Sequence, residues 1–142
     1  MDCFVFRWAT FATLLAFACA PGCGTGATGR ADVEGNVTLD GAALESGSIL
    51  FVPAAGTEGV VTGGPITGGR YRLAANAAAA VGRNRVEIRS PKSTGKTIQY
   101  APDTAVEPEV VEMVAPRFNA ESTIIVEVEQ GTNTFDFEVQ SK

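Results

Sequence analysis

The chain has 142 residues, a formal net charge of -5, three cysteines and no histidine. That length supplies one small domain with a single core, and the acidic balance argues against nucleic acid as a partner, because such binding rests on cations that displace counterions from phosphates. The missing histidine removes the commonest general base at neutral pH and the commonest metal ligand. All three cysteines, Cys3, Cys19 and Cys23, lie in the first 23 residues, so the domain behind them has no disulfide framework and depends on its core.

Trp8 to Ala20 is apolar, and Ala20, Pro21 and Gly22 then precede Cys23. A membrane span needs about 20 apolar residues, whereas a signal peptide needs about 7 to 15 followed by small residues. Residues 1–22 therefore read as a signal peptide of lipoprotein type, with Cys23 carrying the lipid. The n-region opposes Asp2 to its single Arg7, and Cys19 is an alternative attachment site. Cys23 is preferred because Gly22 and Gly24 flank it, while Cys19 still lies within the apolar core. Residues 23–31 read as a flexible tether rich in Gly and Thr, and residues 32–142 as the folded domain. The expected location is a bacterial cell envelope, on a periplasmic or outer face.

From Asp32 onward the dominant period is two. Val33, Gly35, Val37 and Leu39 alternate with Glu34, Asn36 and Thr38, and Asp40-Gly41 is the dipeptide of a tight hairpin turn. Ser48 to Val52 reads as a strand ended by Pro53, which lacks a ladder donor. Val60 to Thr67, interrupted by Gly63-Gly64-Pro65, reads as a weak strand or strand pair. Gly68-Gly69 turns the chain into Arg70 to Leu73, with Tyr71 and Leu73 on one face. Further on, Val86 and Ile88 point inward while Arg85, Glu87 and Arg89 point to water. Ile124, Val126 and Val128, then Phe135, Phe137 and Val139, flank Gln130-Gly131-Thr132-Asn133 as a terminal hairpin. Only Glu107 to Val114 has any helical character. These short strands predict an all-β fold, an antiparallel β-sandwich of about seven strands. Arg70, Arg72, Arg83, Arg85 and Arg89 read as its solvated face.

Residues 90–119 form a long connection punctuated by Pro91, Pro102, Pro108 and Pro116, and such connections are usually functional or disordered. It is the place to expect a binding role. Ser93-Thr94-Gly95-Lys96-Thr97 ends like a phosphate-binding loop, but Ser90 stands where that motif has its first glycine and no helix start follows. Asp103, Glu107, Glu109 and Glu112 offer oxygen ligands without the spacing of a calcium loop. Asn36-Val37-Thr38 matches a glycosylation acceptor but reads more simply as an outward strand residue. Glu127 and Glu129 share an outward face with no cleft implied to tune either. No catalytic residue, metal ligand or cofactor site is therefore expected.

The block Val33 to Gly41, with Ser48 to Pro53 and Gly69 to Leu73, resembles the carboxypeptidase regulatory-like domain. More narrowly, with Ser90 to Lys96, Pro116 to Asn119 and Val126 to Phe137, the chain is similar to small planctomycete lipoproteins that carry such transthyretin-like domains. That resemblance, over Asp32 to Val139, implies a prealbumin-like sandwich tethered to an envelope membrane. Asn84 departs from it where an aromatic is common, and Phe118 where Tyr is usual. Related adhesin sandwiches can carry a lysine-to-asparagine isopeptide bond, but Asp32 to Leu39 has no lysine to form one. The module brings no peptidase chemistry, since fold alone does not fix function. The expected role is a non-enzymatic, lipid-anchored accessory or binding module with a protein or glycan partner. The alternatives are a small-molecule or carbohydrate carrier using 90–119, a soluble secreted form without lipid, and a hydrolase using carboxylates such as Asp103 and Glu112.

Overall fold

The computed structural model describes residues 29–141. Its strands are β1 (Arg30–Leu39), β2 (Ala42–Ala43), β3 (Ser46–Pro53), β4 (Thr62–Thr67), β5 (Arg70–Leu73), β6 (Ala79–Ala80), β7 (Gly82–Arg89), β8 (Pro91–Ile98), β9 (Glu107–Glu112), β10 (Ile125–Val128), β11 (Thr132–Thr134) and β12 (Phe137–Val139). Single 3-10 turns sit at Ala75–Ala77 and Pro116–Phe118. β1 begins two residues before the expected domain start, because Arg30 and Ala31 pair with Ala80 and Ala79 of β6. The last two residues of the expected tether thus belong to the sheet.

The main sheet runs β10-β7-β3-β4-β5-β1-β11, with β12, β2 and β6 also on β1. Its pairs are antiparallel except β1 with β11 and β1 with β12. The sheet curls so that Ile49, Phe51, Ile66, Val86 and Ile88 meet Val33, Val37, Tyr71, Leu73, Phe137 and Val139 in one apolar core, the all-β sandwich anticipated above. Phe51, Tyr71 and Phe137 stack in tilted succession, with ring centroids 6.2 Å apart at each step. Both expected tight turns form. Asp40 and Gly41 take φ of 52° and 85°, and Gly68 and Gly69 take 57° and 76°, the doubly positive pattern that matches strand twist. The Asp40 carboxylate accepts from the Ser141 amide at 3.0 Å, and hydrogen bonding to Ser141 lowers its pKa.

Three expectations change, and one open alternative is decided. The terminal hairpin does not form: β10 pairs with β7, whereas β11 and β12 run parallel to β1. The alternation is real, but residues 129–131 carry the chain between layers, and Asn133 bridges the crossing by accepting from Glu129 N at 2.9 Å and donating to Glu129 O at 2.9 Å. Residues 60–67 hold one strand, β4, with Val60 and Val61 exposed before it. Pro65 lies where the β5-side edge of β4 is open, the setting in which a strand tolerates proline. Glu87 does not point to bulk water; its side chain is 11% exposed, 2.7 Å from Arg85 and 3.4 Å from Arg89. The connection 90–119 contains a hairpin of its own, β8 with β9, so Glu107 to Val114 is strand rather than helix up to Glu112. Val110 and Val111 favour extended backbone, and Pro108 would break a helix ladder.

The strand directions define two poles. Near Gly29 lie the start of β1, the loop 54–61, the segment 74–81 and the turn 129–131, joined by Val81 N to Gly29 O at 3.0 Å and Asp32 N to Gly131 O at 3.1 Å. At the far pole lie the turns 40–41 and 68–69, the end of β7 and the C-terminal residues, joined by Asp40 N to Val139 O at 3.0 Å and Ala115 N to Gln140 O at 2.9 Å. β7 runs from the near pole to the far one. Its eight residues span roughly 26 Å at strand rise.

Candidate functional site

The β8–β9 hairpin leaves the far pole through Ser90. Ser90 Oγ donates to Ser46 O at 2.7 Å, its amide donates to Glu112 Oε1 at 2.7 Å, and Met113 N returns to Ser90 O at 3.0 Å. Glu112 also accepts from Val114 N at 3.2 Å, so one of the four acidic residues is the clasp at the hairpin root. Beyond that root the two strands lie almost entirely against each other. Pro91 to Thr97 is exposed throughout, and the large apolar side chains Tyr100, Val106, Val110 and Val111 are 76%, 58%, 60% and 42% exposed.

Polar contacts set the hairpin's shape. Pairing slips between Ser93↔Val110 and Thr97↔Pro108, and Gly95 supplies a φ of 78° within the slip. There Thr94 Oγ1 donates to Glu109 Oε2 at 2.6 Å. At the tip, Gln99 Nε2 donates to Pro102 O and Thr104 O at 3.0 and 2.8 Å. Lys96 thus sits on a strand followed by a turn, without the strand-loop-helix setting that a phosphate-binding lysine needs. Asp103, Glu107, Glu109 and Glu112 are spread along the tip and β9. Among the described residues no three metal-ligating side chains converge.

Two clefts lie elsewhere, and residues 90–119 line neither. The first, about 780 Å³ at the near pole, is bordered by Thr57, Glu58, Arg83, Glu127, Glu129 and Gln130. Glu127 and Glu129 do therefore face a cleft, which the loop 55–58 builds across the chain from them. The second, about 630 Å³, lies over β1 and β5 between Glu34, Asn36, Arg70 and Arg72. Arg72 approaches Glu34 to 3.7 Å, an exposed pair that contributes little. Of the five arginines read as a solvated face, Arg85 and Arg89 hold Glu87, Arg72 meets Glu34, and Arg70 and Arg83 border clefts.

Beside the second cleft is a seam that sequence reasoning missed. The link between β11 and β12 crosses β1 directly over Gly35, where an added Cβ would lie 1.9 Å from Phe135 O. Tyr71 OH donates to Phe135 O at 2.8 Å, and Phe135 N to Glu34 O at 2.9 Å. Asp136 Oδ1 accepts from both the amide and the Nδ2 of Asn36, at 2.7 and 3.0 Å, so Asn36 is a clamp rather than an idle outward residue. Burial, then the charges of Asp136 and Glu34, pushes the Tyr71 phenol well above its ordinary pKa of 10.0. Asn84 is fully buried and donates to Ala80 O and Gly82 O at 2.7 and 2.9 Å. Phe118 is half-buried with the Arg117 guanidinium 4.9 Å from its ring centroid. No sequence signal marks the seam, because its partners stand about 100 residues apart.

The expected signal peptide over 1–22, the expected lipid attachment at Cys23 and its alternative at Cys19 all fall outside the described residues. No family model, curated protein or solved structure matches the chain.

Proposed function

We propose that this chain is a non-enzymatic β-sandwich held at a bacterial envelope membrane by lipid on Cys23, and that it acts there as an interaction module of the carboxypeptidase regulatory-like kind. The observation that carries the reading is the placement of the β8–β9 hairpin at the pole opposite Gly29, with Tyr100, Val106 and Val110 more than half exposed. A chain tethered through the residues before Gly29 presents that hairpin away from the bilayer. Large apolar side chains on a projecting hairpin add nothing to the core and are characteristic of contact surfaces. Catalysis has little to work with: histidine is absent, and the carboxylates of the hairpin are engaged by its own backbone and hydroxyls or spread along it.

Mass spectrometry of the mature N-terminus tests the anchor, the expected species beginning at lipid-modified Cys23. Cys23→Ala is expected to move the protein from the membrane to the soluble fraction. A mature chain found unacylated in the supernatant refutes the anchor and favours the secreted form. A glycan array and a thermal-shift screen test the carrier alternative, for which a saturable shift lost on changing Arg70 and Arg72 would point to the second cleft.

A further inference from the structure

We propose that the β8–β9 hairpin joins copies of this chain side by side, β9 of one copy adding along β8 of its neighbour. The common orientation of the copies rests on the membrane-anchored reading; the pairing itself rests on the hairpin.

Among the described residues, the outer edges of both β8 and β9 lack a strand partner. The two edges differ in charge: β8 carries Lys92 and Lys96, and β9 carries Glu107 and Glu109 beyond the Glu112 clasp. Among the described residues none of these has an opposite charge within 4.0 Å. Pairing β8 with a second β8, or β9 with a second β9, sets like charges across the ladder, which destabilises it. Pairing β9 with a neighbour's β8 sets carboxylates beside ammonium groups.

Direction selects the same arrangement. Antiparallel pairing of two like strands requires hairpins that point opposite ways, whereas β9 and a neighbour's β8 run antiparallel when both hairpins point the same way. Copies anchored to one membrane through the near pole meet only the second condition. The joined sheet also shields Val110 and Val111, which a single copy leaves 60% and 42% exposed. Pro108 withholds one donor and the Gly95 slip interrupts β8, so few ladder bonds form and the association is reversible. Confinement to a membrane raises the effective concentration that such a contact needs. Because the interface is head-to-tail, it builds rows or rings.

The test is sedimentation velocity of the full chain in detergent, over a range of concentrations and at low and high salt. The wild type is expected to associate with rising concentration at low salt and to dissociate as screening increases. The double variants Lys92→Glu/Lys96→Glu and Glu107→Lys/Glu109→Lys are each expected to associate at least tenfold more weakly. Mixing the two restores association, because the acidic β8 of one now meets the basic β9 of the other. A monomeric wild type at every concentration, either double variant alone associating as wild type does, or an inert mixture each overturns the proposal. Pairing retained in a chain shown by mass spectrometry to lack lipid overturns the anchor alone.

Discussion

Gly35→Ala tests whether the seam over β1 governs stability. Gly35 is not among the residues of positive φ, so on backbone grounds alanine would stabilise by about 0.4–1 kcal/mol through loss of unfolded-state entropy. The packing reverses that sign. The new Cβ would sit 1.9 Å from Phe135 O, where ordinary contact begins at 3.4 Å, so the 135–136 link must retreat by roughly 1.5 Å. Such a retreat breaks the Tyr71 and Glu34 bonds to Phe135 and strains the Asn36 clamp on Asp136. At about 1 kcal/mol for each neutral bond and about 1.5–3 for the charge-assisted Asn36–Asp136 clamp, the loss is about 3.5–5 kcal/mol, or about 2.5–4.5 kcal/mol net of the backbone gain. Thermal unfolding followed by circular dichroism should show a melting point lower by about 10–25 °C. Asp136→Ala, which removes only the charge-assisted bonds, should lose about 1.5–3 kcal/mol. A Gly35→Ala protein as stable as wild type would refute the reasoning.

The remaining predictions concern other contacts. The pKa of Tyr71 is raised by folding, so its stabilising contribution is complete below the unfolded value of 10.0 and is lost as pH rises above it; unfolding free energies of wild type from urea denaturation should fall there by up to about 1.4 kcal/mol per pH unit more steeply than those of Tyr71→Phe. Glu87→Gln leaves Arg85 and Arg89 without their carboxylate, and chemical denaturation should register a loss of about 1–2 kcal/mol. Replacing residues 93–110 by a short Gly-Asn turn, with the Glu112 clasp kept, should shift the melting point by less than about 3 °C, because the hairpin adds no side chain to the core. A large drop would show that the hairpin is structural.

Much of the fold was legible locally. Strands β1, β3 and β5 alternate as their burial requires, as does β7 apart from Glu87, and Asp40-Gly41 and Gly68-Gly69 turn where positive φ is needed. The errors lie where partner choice is non-local. Ile124 to Val139 has the alternation and turn residues of a hairpin, yet its halves lie in different layers. The β8–β9 hairpin was hidden for the opposite reason: its strands bury little, so they show almost no alternation of apolar and polar residues. The seam gave no signal, since a glycine required by a crossing chain looks the same as any other strand glycine.

By itself, the sequence determined the all-β class, the inward faces of most strands, the tight turns and the lack of histidine chemistry, because each follows from the properties of one residue or a short run. Only the tertiary structure decided which strands pair, which carboxylate is buried between arginines, and that the hairpin stands at the pole opposite Gly29. Those depend on what the curled sheet brings together from distant parts of the chain, and burial of one shared core, rather than any local pattern, sets that arrangement.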